Sequence, residues 1–245
     1  MKDQGTIDYF DRNVPEFHEA RLDRSLAVIR EYAHADTSLV DVGCGVGNIL
    51  ELVARQTCVR HLSGIDVSSN CLQKAQERLT ASGFACEPHQ GSILDMGFVQ
   101  TLSERFDFVL LAAVLHHLIG RTRSASRCLA EKALTSCIEL LRPGGYLIIA
   151  EPVFYPRITM DVVFWIKKLV TAMTDERVSI FGYWNNLGAP VVSYYRTEDL
   201  IEMLKKHTEA EIKDVHLVDK KRNLLFKLAM ITAHRNATIV VKKPG

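Results

Sequence analysis

The sequence has no excess of charge of either sign. Thirty Lys and Arg residues are balanced by 29 Asp and Glu residues, which leaves a formal net charge of +1 at pH 7 for the 245-residue chain. A dedicated nucleic-acid binder usually presents a strongly basic surface, so nucleic acid is not expected as a partner. Apolar residues make up 47% of the chain and charged residues 24%, which argues against a disordered chain and predicts a folded, soluble protein.

Long apolar runs are missing as well. The longest uncharged apolar run, residues 108–115, has eight residues, against the ~20 needed to span a bilayer. Residues 1–5 also lack the apolar core of a signal peptide. We therefore expect no membrane span and a cytoplasmic location, while the oligomeric state is not predicted.

Cysteine is scarce and irregularly spaced. Zinc sites and disulfide frameworks both need regular cysteine patterns, and no C-x-x-C spacing occurs here. We therefore expect neither a metal site nor disulfide bonds. The six cysteines are Cys44, Cys58, Cys71, Cys86, Cys128 and Cys137.

Short β-branched runs alternate with amphipathic helical stretches, which indicates a mostly parallel sheet covered on both faces. The predicted strands are residues 38–42, 61–66, 84–89, 106–112 and 146–150, and the predicted helices are residues 22–33, 68–83 and 124–141. After a further helix beginning at Thr197, residues 211–218 and 225–233 are predicted to form an antiparallel hairpin. The tail at residues 237–241 is either another edge strand or the last hairpin arm.

Glycine is concentrated in one loop, at positions 43, 45 and 47, between a predicted strand and the helical run 49–56. Such a loop lets a ligand approach the main chain, and the N–H groups that open the helix favour an anionic group. A dinucleotide-binding loop needs G-x-G-x-x-G, whose third glycine would fall on Asn48 or Leu50. The NAD interpretation therefore fails. Asp66 follows Gly47 by 19 residues, a position suited to ribose hydroxyls, although a helix-capping aspartate is the alternative.

Aromatic residues gather in one segment. Residues 152–200 hold nine of the 19 aromatics in the chain, including both tryptophans. A segment that follows the carboxyl end of a strand lies where open α/β sheets build their binding crevice. It is either part of a binding pocket or a small helical cap with an ordinary core.

Four motifs carry a resemblance to a known family. They are residues 39–48 (LVDVGCGVGN), 64–68 (GIDVS), 106–109 (FDFV) leading into 115–118 (LHHL), and 140–145 (LLRPGG). In order and spacing the chain resembles class I S-adenosylmethionine (SAM)-dependent methyltransferases. The resemblance implies an α/β fold with a doubly wound, mostly parallel seven-stranded sheet, a C-terminal antiparallel hairpin, an N-terminal helical lid and an inserted aromatic cap. The expected units are residues 1–35 as lid, 36–151 as SAM-binding core, 152–196 as acceptor-binding cap and 197–245 as completion of the core.

The resemblance also implies which residues bind SAM. The glycine loop is expected to pack against the methionine part, with Asp41 reaching its amino group, while Asp66 holds the ribose diol and Val67 touches the adenine. Ser92 stands where the family often has an aspartate that binds the adenine amino group, so Ser92 or nearby Asp95 is expected to make that contact. The full set is Asp41, Gly43, Cys44, Gly45, Gly47, Asp66, Val67, Ser92, Ile93 and Leu111.

Two histidines follow the fourth predicted strand, and a histidine can act as a general base near neutral pH. His117 matches a catalytic histidine of methyltransferases that resemble phosphoethanolamine N-methyltransferases, in which a lid tyrosine assists it; Tyr9 is the candidate for that tyrosine. His116 is the second candidate base, and a purely structural role is the alternative for all three. The expected acceptor-binding residues are Tyr155, Trp165, Tyr183, Trp184, Tyr194 and Tyr195.

The predicted activity is SAM-dependent methylation of a small organic acceptor at oxygen, giving S-adenosylhomocysteine. The alternatives are an N-methyltransferase of a small amine, an RNA- or protein-modifying methyltransferase, and an inactive scaffold with the same fold. The basic runs Lys220-Lys221-Arg222 and Lys242-Lys243 are interpreted as solvated turns, with a phosphate or RNA contact as the alternative.

Overall fold

A computed structural model describes residues 19–173, 191–207, 209–221 and 224–245. The predicted site residues Tyr9, Tyr183 and Trp184 lie outside these ranges. The strands are β1 (Ser38–Val42), β2 (His61–Asp66), β3 (Glu87–Gln90), β4 (Phe106–Ala112), β5 (Leu141–Tyr155), β6 (Glu211–Asp219) and β7 (Ala233–Lys242). The helices are α1 (Asp23–Tyr32), α2 (Asn48–Gln56), α3 (Ser69–Ala81), α4 (Met96–Thr101), α5 (Arg123–Leu140), α6 (Arg157–Met173), α7 (Thr197–His207) and α8 (Leu224–Leu228), with short 3-10 turns at Glu19–Arg21 and Leu115–His117.

The seven strands form one sheet in the order β3-β2-β1-β4-β5-β7-β6. Strands β1 to β5 are parallel, and β7 runs antiparallel between β5 and β6. From β1 the chain adds β2 and β3 on one side of β1, and it then returns to add β4 and the later strands on the other side of β1. This reversal leaves a crevice at the carboxyl ends of β1 and β4, where open α/β sheets bind ligands. The predicted doubly wound sheet with a C-terminal antiparallel hairpin is confirmed.

Helices cover both faces of the sheet over two apolar cores. Alternate residues of β5 enter opposite cores, with Leu147 and Ile149 on one face and Ile148 and Ala150 on the other, as the two-residue period of a strand requires. A strand buried on both faces is a near-continuous apolar run, which is why β4 and β5 stood out in the sequence. None of the helices in the described part of the chain is both long and apolar enough to cross a membrane.

Strand β5 is longer than the five residues that the sequence predicted. Beyond Ala150, which pairs with the last residue of β4, it continues to Tyr155, where it pairs with β7 and, through one parallel bridge at Val153, with Tyr195. This extension projects past the carboxyl edge of the parallel strands. It carries a third, small apolar core, whose buried members are Phe154, Met160, Phe226 and Ile231.

The predicted strand at residues 225–233 is wrong. The chain forms the short helix α8 at Leu224–Leu228, and β7 begins only at Ala233. The run LFKLAMITA is rich in leucine, alanine, methionine and lysine, which are helix formers, and has only two β-branched residues. The helix also buries Phe226 in the small third core. The tail is therefore the hairpin partner of β6, which resolves the alternative that the sequence left open.

Candidate active site

The glycine loop leaves β1 at the crevice and is held by close packing and by left-handed backbone. Gly47 has a φ of +80° and a Cβ there would lie 2.9 Å from the Cβ of Ala75 in α3, so a larger residue would force the helices apart. Gly45 has a φ of +52° and a Cβ there would meet no described atom within 4 Å. Gly47 is therefore required by packing, whereas Gly45 borders open space that a ligand can use.

Asp66 ties this loop to the end of β2. Its Oδ2 accepts a hydrogen bond from the Gly45 N–H at 3.0 Å, and its Oδ1 accepts one from the Ser68 N–H at 3.0 Å. The N-cap of α3 is Ser68, whose hydroxyl accepts from the Cys71 N–H at 3.1 Å. Asp66 is therefore not the helix cap that the sequence left open as an alternative. It is half-buried at the edge of the crevice.

Asp41 is the most unusual ionisable group of the site. Its side chain is 1% exposed, and neither carboxylate oxygen has a hydrogen-bond partner among the described residues. Burial, and secondly the nearby charge of Asp66, raise the pKa of Asp41 to about 8. A buried carboxyl group without a partner is costly, and a cationic group arriving from the crevice would satisfy it.

The remaining predicted cofactor residues are divided between core and crevice. Val67 and Ser92 are half-buried at the carboxyl edge, and the Ser92 hydroxyl accepts from the Leu94 N–H at 3.3 Å. Asp95 caps α4, where its Oδ1 accepts from the Gly97 N–H at 2.9 Å. The side chains of the other three residues are buried in the protein core: Cys44, Ile93 and Leu111. Burial raises the pKa of the Cys44 thiol, so this cysteine stays protonated at neutral pH.

The two histidines lie in the 3-10 turn directly after β4, and a residue that the sequence did not single out holds them. Glu151 on β5 is 3% exposed. Its Oε1 accepts from the N–H groups of Val114 and Leu115 at 2.7 Å each, and its Oε2 lies 2.7 Å from Nδ1 of His116. The only signal in the sequence was one acid at the end of an otherwise apolar strand.

A row of neighbouring rings begins at these histidines. The His116 ring lies 4.0 Å from that of the half-buried His117 and 5.2 Å from that of Tyr194, centroid to centroid. The backbone is joined at the same place, because the Ser193 N–H donates to the His116 carbonyl at 2.8 Å. Burial, and secondly the charge of Glu151, raise the pKa of Tyr194 to about 12, so its hydroxyl is protonated at neutral pH. Tyr194 is thus the predicted acceptor residue that the structure brings to the histidines.

Other predicted acceptor residues have different surroundings. The Tyr155 hydroxyl lies 3.0 Å from a carboxylate oxygen of Glu198 and accepts from the Thr197 N–H at 3.2 Å, which ties β5 to α7. Trp165 is 50% exposed on α6. Tyr195 is buried, and its hydroxyl accepts from the Ser193 hydroxyl at 3.3 Å.

Sheet order, glycine loop and buried acid together define an α/β protein with a crevice between β1 and β4, the place where open α/β sheets bind ligands. A family model described as a methyltransferase domain matches residues 33–224. The chain belongs to this methyltransferase family.

Individual relatives agree with this assignment. The chain is 46% identical to a trans-aconitate 2-methyltransferase of Paracidovorax citrulli over 118 residues. This match covers 48% of this chain and 40% of the relative. Over 130 residues it is 28% identical to a ubiquinone biosynthesis O-methyltransferase of Aromatoleum aromaticum, which covers 53% of this chain and 49% of the relative. The matches cover between 24% and 59% of the length of the curated relatives compared. A solved SAM-dependent methyltransferase of Methanosarcina mazei shares the fold, with a TM-score of 0.59, 18% identity and coverage of 89% of this chain and 97% of that one.

The residues present fit SAM. The unpartnered buried carboxyl of Asp41 suits the cationic amino group of its methionine part, and the open space at Gly45 leaves room beside the main chain. The carboxylate of Asp66 suits a ribose diol because an ionised carboxylate accepts several hydrogen bonds. SAM supplies an activated methyl group on a sulfonium.

Proposed function

We propose that the protein methylates an oxygen atom of a small organic acceptor. The observation that carries the proposal is the position of His117, a half-buried imidazole directly after β4, in contact with a second histidine that Glu151 holds. A hydroxyl acceptor must lose a proton as the methyl group arrives, and an imidazole can take it near neutral pH. The names of two relatives, a ubiquinone biosynthesis O-methyltransferase and a trans-aconitate 2-methyltransferase, support acceptors of this size.

Each residue of the crevice has a proposed role. Asp41 binds the amino group of SAM, Asp66 the ribose diol, and Val67 and Ser92 the adenine. His117 accepts the proton of the acceptor hydroxyl while the new C–O bond forms, and the electron pair of the broken C–S bond stays on sulfur to give S-adenosylhomocysteine. The reaction thus turns a hydroxyl into a methyl ether.

Glu151 and His116 support His117 in this reaction. With Nδ1–H of His116 donating to Glu151, the ring orientation of His116 is set, and it packs against the ring of His117. A base held in one orientation loses less entropy when the acceptor arrives. His116 and Glu151 are therefore positioning residues rather than bases in this proposal.

The test starts with stripped protein and calorimetric titration of SAM and of NADH. We expect SAM to bind and NADH to give no heat. Acceptor candidates are then screened as matched sets, each with a hydroxyl or carboxyl group, its amine analogue, and purified tRNA as a macromolecular control, with [methyl-³H]SAM. Methyl transfer to oxygen, located by NMR of the product, supports the proposal, whereas a methylated amine or tRNA would overturn it.

His117→Ala separates the base from the binding site. We expect turnover to fall by about 100-fold or more, the usual contribution of a general base, with SAM affinity within twofold of wild type. His61→Ala is a matched control, since His61 begins β2 at the amino edge of the sheet and is exposed. An unchanged rate in His117→Ala would return this residue to a structural role.

A further inference from the structure

Three side chains form a row across the last three strands of the sheet, beyond the carboxyl edge of β4. Phe154 of β5 pairs with His234 of β7, and their rings stack at 4.2 Å with 10° between the planes. Lys220 follows β6, and its N–H donates to the His234 carbonyl at 2.9 Å, one position beyond the pair formed by Asp219 and Arg235. Directly paired residues of neighbouring strands share a face of the sheet.

This row joins the rings of the active site. The ring centroid of Phe154 lies 4.3 Å from that of Tyr194, whose ring stacks on His116 at a centroid distance of 5.2 Å. His117 and Lys220 are therefore at opposite ends of one continuous line of side chains. The rings of His116, Tyr194, Phe154 and His234 lie between them. His116 and Phe154 are buried, whereas Tyr194 and His234 are half-buried, so the planar or apolar body of a small molecule would pack against these two rings.

The far end of the line carries two cations, Lys220 and Arg21. Neither Lys220 nor Arg21, which ends the first 3-10 turn, forms an ion pair with any residue in the described ranges. Both are half-buried. Burial, and secondly the charge of Arg21, lower the pKa of Lys220, so the two cations are within electrostatic range of each other. Two cations held together at a partly buried site destabilise the fold unless an anion joins them.

His234 completes the set. Its Nδ1 is buried and has no hydrogen-bond partner among the described residues. Burial, and then the charges of Lys220 and Arg21, lower the pKa of His234 to about 4. The ring is thus neutral at pH 7 and stands beside two cations. An oxyanion would bind both cations and could also share a proton with the imidazole.

We propose that Arg21, Lys220 and His234 bind an oxyanion group of the methyl acceptor, a carboxylate or a phosphate, while the acceptor's reactive oxygen lies at His117. This inference rests on the proposed function and specifies its substrate class. An acceptor that fits has an acidic group at one end, an aromatic or extended apolar body, and the methylated oxygen at the other end.

The binding test needs no turnover. Protein with ¹³C,¹⁵N-labelled histidine is titrated with sodium benzoate, with inorganic phosphate and with benzamide, the uncharged analogue of benzoate, at constant ionic strength. The ring signals of His234, assigned with His234→Gln, should shift and saturate with benzoate or phosphate and stay in place with benzamide. Whichever anion binds more tightly identifies the carboxylate or the phosphate as the group recognised.

Charge variants test whether anion binding depends on Lys220 and Arg21. Lys220→Gln and Arg21→Gln should each weaken anion binding at least tenfold. Lys242→Gln is the matched control, because Lys242 belongs to β7 but lies over the Tyr146 ring at the opposite end of that strand. Equal weakening by all three variants, or shifts no larger than those caused by sodium chloride, would overturn the subsite.

A comparison of acceptors separates this inference from the proposed function on which it rests. Once an acceptor is found, its acid and amide forms are compared in wild type and in Lys220→Gln. The acid form should be preferred at least tenfold in kcat/KM by wild type, and the preference should be lost in the variant. Equal use of both forms with intact turnover would overturn the anion subsite and leave O-methylation standing. Absence of SAM binding would instead contradict the proposed function.

Discussion

At the scale of one residue, the Asp66 carboxylate holds the glycine loop and, in the proposed function, the ribose of SAM as well. It holds the Gly45 N–H of the glycine loop and the Ser68 N–H at the start of α3, so it is preorganised before any ligand arrives. A charge-assisted hydrogen bond to a fixed carboxylate is stronger than one between neutral groups. The geometry of the crevice therefore depends on this side chain as much as its chemistry does.

Replacing Asp66 with alanine should weaken SAM binding by at least ~1.5 kcal/mol, slightly more than tenfold in Kd, because charged hydrogen bonds to the ribose are lost. Asp66→Asn should lie between wild type and Asp66→Ala, since the amide oxygen can still accept from one N–H. Calorimetric titration measures all three. Unchanged affinity in Asp66→Ala would remove the ribose role.

Glu151→Gln should reverse the tautomer of His116. In the wild type Nδ1–H donates to the carboxylate, whereas the NH₂ group of glutamine would donate to Nδ1 and move the proton to Nε2. The ¹⁵N shifts of the imidazole report this change directly. We expect turnover to fall at least fivefold with SAM affinity unchanged, because the two backbone N–H groups keep an oxygen acceptor.

Glu151→Ala is the harsher companion variant. It leaves the N–H groups of Val114 and Leu115 and the His116 ring without their partner, so we expect a loss of about 2–3 kcal/mol or more in the free energy of unfolding. Denaturant titration checks it. Should Glu151→Gln leave both the tautomer and the rate unchanged, Glu151 would only cap the backbone of the turn.

At the scale of elements, local pattern and tertiary contact explain what the sequence could predict. The glycine loop, β1, β4 and α5 follow from apolar runs, caps and breakers within the segments themselves. The length of β5 depends on pairing with β7, some 80 residues later, and short α8 depends on the core under Phe226. Neither partner is visible in the local pattern, so both elements were mispredicted in extent or in type.

The residues of the site divide in the same way, into those that local motifs indicate and those that depend on distant contacts. Asp41 and Asp66 could be singled out because they belong to contiguous motifs, and their binding roles stay predictions. Glu151 could not, since the N–H groups that it binds lie 36 and 37 residues earlier. Among the aromatics, composition indicated the segment but could not separate Tyr194, which stacks on His116, from Tyr155, which bonds to α7.

Helix α8 gives a test at this scale. Phe226 is buried in the small third core, whereas Leu228 is 72% exposed. Phe226→Ala should therefore lower the free energy of unfolding by about 3 kcal/mol, and Leu228→Ala by less than about 0.5 kcal/mol. Urea titrations of both variants measure the difference. Equal effects would contradict the arrangement of α8 against β5 and β7.

The whole molecule is nearly neutral, so its pH response depends on a few buried groups rather than on net repulsion. His234, with its lowered pKa of about 4, stabilises the fold above the pKa of an unfolded histidine and loses this contribution as the pH falls toward 4. Asp41, with its raised pKa of about 8, acts in the opposite sense. Its contribution is complete below pH 4 and is lost as the pH rises toward 8.

The opposite pH dependences of His234 and Asp41 predict how the stability of the ligand-free protein changes with pH. Between pH 4 and 6.5 the two groups oppose each other, and above pH 6.5 only Asp41 acts, so the unfolding temperature should fall from pH 6.5 to 8. Asp41→Asn should remove this fall, and Glu77→Gln, an exposed residue of α3, should not. Thermal unfolding at four pH values checks it, and a flat wild-type profile would contradict a protonated Asp41.

Binding of SAM must then move a proton. At pH 6.5 Asp41 is protonated in the free protein, and pairing with the cationic amino group of SAM makes it ionise, while that amino group, with an ordinary pKa near 8, stays charged. We expect about one proton to be released per SAM bound, measured by calorimetry in buffers of different ionisation enthalpy. The same measurement on Asp41→Asn should show no release and weaker binding. Release in both proteins would assign the proton to another group and leave Asp41 without its ligand role.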